Sequence, residues 1–600
     1  MRATAKFLLL FVFSGLATAA GPPAWVRESN EHAKVLLEVM ARFSPEDATQ
    51  VGVEGYDDQV TDLKPKVFQR SQDATRGALK ELKARLAKAT DRSVKQDLEI
   101  MIRAAQDNLD SNQLQNELLL PYAPVSRTAF SGIRALLDPR ISKERQALAV
   151  VRLKRYAGLE GNAKPFATLA RDRMEERIRD KKLLRPFKGE VEQHLADTPS
   201  LVAGIKDLFA KSGLDGWQEA AGALEQQFAA HDRWLRETLL PQARTDHRLP
   251  PALYADNLKQ FGLDIGPEEL IPRALIAFAE IQNEMRTLAP LVAKEKKLVG
   301  APSGATGAKA KKQPLTDYRD VVRALKQKQV VGDAILPLYL KRLEAVEQII
   351  RRENIVTLPA RKAVIRLASP AESAMSPAPN MRPPRLIGNQ GEYGEFVLPL
   401  VVPGKAGREA LRMDDFTHDA GTWSLTAHEA RPGHELQFSA MVEKGISTAR
   451  AVFAFNSVNV EGWGLYSEAE MKPYLPLEGQ LFTLQFRLQR AARAFLDPMV
   501  NLGQMTPGQV KDFLVKEVVL SEAMAQQEVD RYTFRAPGQA TAYFYGYQRL
   551  LQTRQQAEVA LRERFNRKAF NDFVLAQGLL PPELLQKAVM EEFVPAQLKV

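Results

Sequence analysis

The sequence has 600 residues, of which 45% are apolar, 26% are charged and 8% are aromatic. This composition is ordinary for a globular protein with a large core, and it excludes collagen-like and wholly disordered classes. The length allows roughly two to four domains. The sequence contains no cysteine, which excludes disulfides, cysteine nucleophiles, thiolate-ligated metals and a lipobox cysteine. Any metal site must therefore use His, Asp or Glu.

The formal net charge is +10. Charges alternate in sign along predicted helices, for example over residues 171–182, which is typical of a solvated surface. The alternative interpretation is an attraction to anionic envelope polymers or acidic peptides. Because the sequence has no basic block interleaved with aromatic residues, we expect no nucleic-acid partner.

The first residues have the pattern of a secretory signal peptide. Arg2 and Lys6 precede an apolar run over residues 7–17, and small residues follow at positions 17–20. About 11 apolar residues are too few to cross a hydrocarbon layer of roughly 30 Å, so a membrane anchor is the weaker interpretation. We expect residues 1–20 to be a signal peptide, the mature protein to be periplasmic or secreted, and the mature chain to have no membrane span.

Most of the remaining sequence has the periodicity of amphipathic helices, which dominate residues 25–350. The pattern changes between residues 355 and 403, where runs rich in Val, Ile and Phe at 363–367 and 395–402 are separated by Gly and Pro. This change predicts a small β-sheet or hairpin. Helical periodicity returns from residue 415 onward. The sequence therefore predicts a mainly α fold with one small β element.

Two of the seven histidines lie in the segment His428-Glu-Ala-Arg-Pro-Gly-His434. A zinc peptidase helix normally carries two histidines at positions i and i+4, which lie on one face, and a Glu at i+1 that faces the water on the metal. Here the histidines are six positions apart, which is roughly 120° on a regular helix. Pro432 and Gly433 permit a bulge that returns His434 to the side of His428. Glu429 then becomes the candidate general base. The alternative is that both histidines are ordinary hydrogen-bonded groups.

A third metal ligand is available in Glu461, 27 residues after His434. Two histidines, one glutamate and a water form an established catalytic zinc set, although other divalent metals also accept these ligands. Glu468 lies seven residues further along the same helical face and is a candidate to support a ligand. Both glutamates could instead be surface carboxylates. His418, ten residues before His428, is a rival ligand.

The segment from 528 to 546 supplies candidates for substrate contacts. A tyrosine hydroxyl near the metal can donate to a developing oxyanion, and Tyr543 is the first candidate for this role. An arginine can bind a peptide carboxylate with two parallel hydrogen bonds, and Arg531 is the candidate there. Tyr545 is a further candidate for substrate binding. For each residue, packing or surface pairing is the alternative interpretation.

These segments resemble a bacterial family labelled domain of unknown function number eight hundred and eighty-five. Its members carry His-Glu-Ala-x-Pro-Gly-His-x-x-Gln, then Glu-Gly-Trp-x-x-Tyr-x-Glu, then an Arg-Tyr pair followed by Pro-Gly-Gln-Ala and Tyr. The matching residues are 428–437, 461–468 and 531–543. Glu435 and Gly464 stand where many relatives have other residues, and neither position is a proposed ligand.

The family in turn is similar to helical zinc peptidases of the thimet-oligopeptidase and helical-carboxypeptidase type. This resemblance implies a large two-lobed helical body around a deep cleft, with a small β-sheet beside the cleft. We accordingly expect an N-terminal helical lobe at 21–300 and a C-terminal catalytic lobe at 301–600 that contains the β element at 355–403. The low-complexity segment at 300–314 is the expected boundary.

The expected function is zinc-dependent hydrolysis of peptide bonds in periplasmic oligopeptides. One Zn2+ ion is expected on His428, His434 and Glu461, with Glu429 as the base and Tyr543 as the oxyanion donor. Two alternatives remain open. One is a catalytically inactive relative that only binds peptides, and the other is a metal hydrolase that acts on a non-peptide amide or ester.

Overall fold

A computed structural model describes residues 22–161, 164–300, 313–399 and 414–599. The fold is mainly α with small β elements, which confirms the predicted fold class. The expected signal peptide at 1–20 lies outside the described residues. No described helix combines the length and hydropathy that a membrane crossing requires.

The N-terminal half of the chain is built from helices with one buried face. Leu98, Met101 and Leu109 share such a face and are buried, as their helical spacing predicts. These residues lie in helix α4 (Arg92–Leu118), and the side chain of Asp91 accepts hydrogen bonds from the first free amides of that helix, which defines where the helix begins. The α-helices are α1 (Ala24–Phe43), α2 (Pro45–Val51), α3 (Val67–Leu86), α4 (Arg92–Leu118), α5 (Val125–Leu136), α6 (Lys143–Tyr156), α7 (Phe166–Glu175), α8 (Lys188–Ser212), α9 (Gln218–Trp234), α10 (Pro251–Gln260) and α11 (Pro267–Glu295).

The C-terminal half continues with helices, several of which are extended by a turn of π-helix. The α-helices are α12 (Tyr318–Lys326), α13 (Ile335–Arg352), α14 (Pro370–Met375), α15 (Asp419–Glu429), α16 (His434–Lys444), α17 (Ser457–Met471), α18 (Leu477–Asn501), α19 (Pro507–Phe513), α20 (Glu522–Asp530), α21 (Ala542–Leu561), α22 (Arg567–Ala576), α23 (Pro582–Ala588) and α24 (Val594–Lys599). The π-helical turns are Leu235–Leu239, Ala449–Phe453, Leu514–Val518, Arg531–Arg535 and Val589–Phe593, and the short 3-10 turns are Leu240–Gln242, Gly332–Ala334, Lys472–Tyr474, Gln539–Thr541 and Arg562–Arg564.

The β structure consists of two small sheets. A three-stranded sheet lies in the region predicted from the sequence, and its central strand pairs with one parallel and one antiparallel neighbour. The predicted run at 395–402 forms a strand only to residue 398, and positions 400–402 lie outside the described residues. The strands are β1 (Val299–Gly300), β2 (Gln313–Pro314), β3 (Val364–Leu367), β4 (Asn380–Arg382) and β5 (Glu395–Leu398), with β1 antiparallel to β2 and the order β3-β5-β4 in the larger sheet.

A large apolar core joins the two halves of the sequence. Helix α11 packs along α18, where Phe278 meets Phe495 edge-to-face at 5.5 Å between ring centroids. Helices α15, α17 and α21 each pack against α18, and α17 also packs against α15 and α21. These four helices carry most of the predicted site residues. The division into lobes at residue 300 stays a prediction.

Candidate metal centre

The segment between the two motif histidines is a complete break in the helix. Helix α15 ends at Glu429 and α16 begins at His434, so the predicted bulge is a turn between two separate helices. Gly433 makes this turn possible, because a Cβ atom there would lie 1.9 Å from the carbonyl oxygen of His428. Only glycine allows the returning chain to approach the end of α15 so closely.

Buried polar contacts hold this turn in place. The guanidinium of Arg431 donates to Glu435 at 2.7 Å and to Glu347 at 2.7 Å. The indole of Trp463 on α17 donates to the carbonyl of Pro432 at 3.0 Å. The turn is thus tied both to α13 and to the helix that carries the third predicted ligand.

The turn brings His428 and His434 together with Glu461. The two imidazole centroids are 4.6 Å apart, and each Nε2 lies 3.4 Å from Oε2 of Glu461. That oxygen is buried and accepts no hydrogen bond from the described residues. Tetrahedral coordination at about 2.1 Å places neighbouring ligand atoms about 3.4 Å apart. The three side chains therefore fit a single zinc ion. In the described part of the chain they form the one group of potential metal ligands whose donor atoms converge.

Close packing of α17 sets the position of Glu461. A Cβ atom on Gly464 would lie 2.6 Å from Cε1 of His428 and 2.9 Å from Cε1 of His434. Gln539 donates to Oε1 of Glu461 at 3.5 Å, which leaves Oε2 directed at the imidazoles. Sequence reasoning did not assign Gly464 or Gln539. The available signal was that Gly464 lies three positions after Glu461, on the same helical face.

Glu468 supports His428 from the side opposite the third ligand. Its Oε1 lies 2.7 Å from Nδ1 of His428. Ser424 donates to the other oxygen at 2.5 Å, and Nη2 of Arg490 lies 3.3 Å from Oε1. A carboxylate at Nδ1 favours the tautomer with its proton there, which frees Nε2 to bind a metal.

The electrostatics of the cluster favour a positive charge between the ligand atoms. Burial lowers the pKa of His428, but the carboxylates of Glu461 and Glu468 beside its ring outweigh this effect and raise the pKa to about 9. Burial raises the pKa of Glu461, and its contacts with His428 and His434 hold the pKa well below the usual range. The negative potential of the two carboxylates also favours a bound cation between the ligand atoms.

Glu429 faces a cavity of about 240 Å3 beside the ligand cluster. Its side chain is buried. Burial raises its pKa, and the nearby His428 and His434 only partly oppose this. Within the described residues its carboxylate accepts no side-chain hydrogen bond. A buried carboxylate with free oxygens can take a proton from water.

Tyr543 lines the same cavity. Its ring stacks on His428, with 6.1 Å between centroids and 15° between planes. The hydroxyl accepts a hydrogen bond from Nη2 of Arg531 at 3.5 Å, so its own proton remains free for donation. Arg493 lies 4.5 Å from the centre of the ring. Both predicted residues, Tyr543 and Arg531, therefore face the space next to Glu429.

Two other candidates lie elsewhere. The hydroxyl of Tyr545 contacts Asp264 and Arg549 and does not line the Glu429 cavity. Two positions on an α-helix differ by about 200°, so Tyr543 and Tyr545 face different sides of α21. His418 is at the N-cap of α15, where its Nδ1 accepts from the amide of residue 421 at 3.1 Å. Among the described residues it is not part of the converging ligand group.

A second cavity of about 640 Å3 lies across the Arg531–Pro537 segment. Thr533 and Phe534 line it, whereas Arg531 and Arg535 line the cavity next to Glu429. The larger cavity contains none of the predicted site residues. We therefore expect any reaction to take place in the smaller cavity, beside Glu429.

The sequence matches the profile of a family described as bacterial protein of unknown function (DUF885) over residues 45–589. No curated protein matches the chain. Solved structures with a similar fold include the following two. One is a candidate lipoprotein of unknown function from Shewanella oneidensis, with 18% identity, a TM-score of 0.68, and coverage of 95% of this chain and 100% of that chain. The other is a candidate lipoprotein from Colwellia psychrerythraea, with 18% identity, a TM-score of 0.71, and coverage of 95% and 99%.

Proposed function

The chain belongs to the DUF885 family of bacterial proteins of unknown function, and we propose that it is a zinc-dependent hydrolase of peptide bonds in oligopeptides. The observation that carries this proposal is the meeting of His428, His434 and Glu461, with 3.4 Å between each Nε2 and the carboxylate oxygen. This spacing suits tetrahedral zinc. The carboxylate of Glu429 lies in the adjoining cavity.

The three ligands would hold one zinc ion and leave a fourth position for water or substrate. The chemistry that bound zinc supplies is polarisation of a carbonyl group and a lowered pKa of water. Glu468 orients His428 through Nδ1, and Gln539 orients Glu461. Such supporting contacts are typical of metal sites whose ligands are held ready for binding.

Glu429 and Tyr543 have complementary roles in this proposal. Glu429 accepts a proton from water and returns it to the leaving amine, because its carboxylate is buried, raised in pKa and free of hydrogen bonds from described side chains. The hydroxyl group of Tyr543 donates a hydrogen bond to the developing oxyanion, because Arg531 already donates to the hydroxyl oxygen and leaves the O–H free.

We place this activity outside the cytoplasm, in the periplasm. The support is the signal-peptide pattern of residues 1–20. The names of the two structural relatives, both candidate lipoproteins, agree with an extracytoplasmic site for those proteins. Fractionation of a strain that expresses the full chain, followed by N-terminal sequencing, tests the location. Retention in the cytoplasm with residue 1 or 2 as the N-terminus would contradict it.

The central test combines metal analysis with cleavage of a mixed peptide library by the purified protein. We expect about one zinc per chain, because the described part of the chain contains one group of converging ligands. We also expect cleavage that a chelator abolishes and zinc restores. His428→Ala should lower metal content, whereas His32→Ala, outside the ligand group, should not. A metal-loaded protein that cleaves esters or other amides but no peptide would establish the non-peptide alternative. Peptide binding without any turnover would establish the inactive one.

A further inference from the structure

The chain between α20 and α21, residues 531–541, contacts the candidate metal centre at two points. Arg531 donates to the hydroxyl of Tyr543 at 3.5 Å, and Gln539 donates to Oε1 of Glu461 at 3.5 Å. The segment ends where α21 begins, so its position also determines where Tyr543 lies. A group that holds the 531–541 segment in place can therefore act on the metal centre without lying in it.

Asp497 on α18 holds the second half of this segment. The amide of Gly538 donates to both carboxylate oxygens of Asp497, at 2.9 and 3.0 Å. Gly538 has a φ of +94°, a left-handed conformation that favours glycine. The hydroxyl of Thr541 donates in turn to the carbonyl of Gly538 at 2.6 Å. The carboxylate thus binds the turn from which the chain enters α21.

A second residue of α18 holds the first half of the segment. Asn501 lies one helical turn after Asp497, and its side-chain nitrogen donates to the carbonyl of Tyr532 at 3.0 Å. The same nitrogen donates to Oδ1 of Asp497 at 3.1 Å. Both side chains are buried. One face of α18 therefore binds the segment at two positions that are six residues apart.

Helix α10 supports the same segment from the N-terminal half of the chain. Tyr254 donates its hydroxyl to Oδ1 of Asp497 at 3.0 Å, and Asn257 donates to the carbonyl of Pro537 at 3.2 Å. Burial raises the pKa of Asp497 to about 7, although the Tyr254 hydroxyl and the Gly538 amide oppose the rise. An apolar side chain would avoid the cost of burying a carboxyl group. The donors that it binds, rather than packing, therefore explain a carboxyl group at this position.

We propose that Asp497 and Asn501 are positioning residues, which act on the metal centre through the 531–541 segment. Neither side chain lines the cavity beside the ligand cluster. Through Gln539 they affect the affinity for zinc, and through Tyr543 they affect the rate of the reaction. The effect on the rate rests on the proposed hydrolase function, whereas the effect on the segment does not.

The first measurement is hydrogen exchange of the metal-free protein, followed by mass spectrometry. Asp497→Ala removes the acceptor of the Gly538 amide. We therefore expect exchange within residues 531–541 to become about 10- to 100-fold faster, the range for losing a buried hydrogen bond to a charged group. Asp497→Asn keeps one carbonyl oxygen for this amide and should restore slow exchange. Unchanged exchange in Asp497→Ala would overturn the proposal.

Asp97→Ala is the matched control for the loss of a buried carboxylate. Asp97 is fully buried and accepts hydrogen bonds from two serines and one arginine. Its replacement should leave exchange within residues 531–541 unchanged. Asn501→Ala, which frees the Tyr532 carbonyl, gives a second test of the proposal if Asp497→Ala fails to fold.

Zinc affinity and turnover separate a positioning role from a role in folding alone. Asp497→Ala and Asn501→Ala should each bind zinc about tenfold more weakly in competition with an indicator, the lower end of the range for losing a supporting contact. At saturating zinc, kcat for peptide cleavage should fall about 10- to 100-fold and KM should change less than about threefold, because Tyr543 acts in the transition state. Asp497→Asn should recover both values, and Asp97→Ala should change neither.

The same measurements distinguish failure of this proposal from failure of the hydrolase function. Faster exchange with unchanged zinc affinity and unchanged kcat would show that Asp497 and Asn501 act in folding alone, and would overturn the proposal. Equal losses in Asp97→Ala would overturn it as well. Weaker zinc binding by the two alanine variants, in a protein whose wild type cleaves no peptide, would support the positioning role and refute the hydrolase function.

Discussion

Oε1 of Glu468 lies 2.7 Å from Nδ1 of His428, and the carboxylate is fully buried. This contact joins α17 to the end of α15, and α17 also carries Glu461. One helix thus supplies both a proposed metal ligand and the group that orients another ligand. The geometry predicts that metal affinity depends on a residue that does not touch the metal.

Replacing Glu468 with Gln should weaken zinc binding by about 10- to 100-fold, the usual effect of losing such a partner. Gln presents either a neutral oxygen or an amide N–H to Nδ1, so the favoured tautomer of His428 is less stable. Competition with a zinc indicator measures the change. Glu470→Gln, on the same helix but paired with Arg554, is the matched control and should leave affinity unaltered. If the two variants bound zinc with equal affinity, Glu468 would have no role in supporting the metal ligands.

Replacing Glu429 with Gln should retain zinc and reduce the rate of peptide cleavage by about two to four orders of magnitude, because the amide cannot accept the water proton. Metal content and initial rates are measured on the same preparation. Glu563→Gln, at an exposed position, serves as the control. A rate near that of the wild type would show that another group acts as the base.

Replacing Gly464 with Ala should reduce zinc binding without unfolding the protein. The added Cβ would lie within 3 Å of both imidazole rings, so one or both rings must move from the positions that converge on Glu461. Gly77→Ala is the matched control, because that position lies in α3 with open space around it. Alanine there should stabilise the protein by about 1 kcal/mol. Zinc titration and thermal unfolding of both variants distinguish a local effect from a global one.

Replacing His231 with Phe should make the protein more resistant to acid. Burial, with a contribution from Arg171, lowers the pKa of His231 to about 4, and neither ring nitrogen has a hydrogen-bond partner among the described residues. The unfolded chain therefore takes up a proton near pH 6.5 that the folded protein takes up only near pH 4. The free energy of unfolding falls as the pH decreases through this window, by about 1.4 kcal/mol per pH unit.

Chemical unfolding at pH 5 and pH 7.5 measures this effect. The Phe variant should resemble the wild type at pH 7.5 and exceed it by about 2 kcal/mol at pH 5. Zinc affinity at pH 7.5 should be unaffected, because His231 is in α9 and not in the ligand group. The same stability difference at both pH values would mean that packing, rather than protonation, explains the change.

The identity of the proposed ligands was accessible from the sequence alone. His428, His434 and Glu461 have the side chains that zinc binds through nitrogen and oxygen atoms, at a spacing that suggested a shared site. Pro432 and Gly433 indicated that the helix is interrupted between the two histidines. The small sheet was also predictable, because runs rich in Val, Ile and Phe between Gly and Pro have a local preference for strands. These features depend on short stretches of sequence.

Distances between separate stretches depend on how helices pack. The backbones of Gly462 on α17 and Gly546 on α21 meet so closely that a Cβ on Gly546 would lie 2.0 Å from the carbonyl of Val458. This close contact determines the position of α21 relative to α17. The position of α21 in turn directs Tyr543, but not Tyr545, toward the cavity. The contact between Asp497 and Gly538 arises in the same way. Local propensity determines which elements form, whereas burial and close contact between residues far apart in sequence decide which side chains meet.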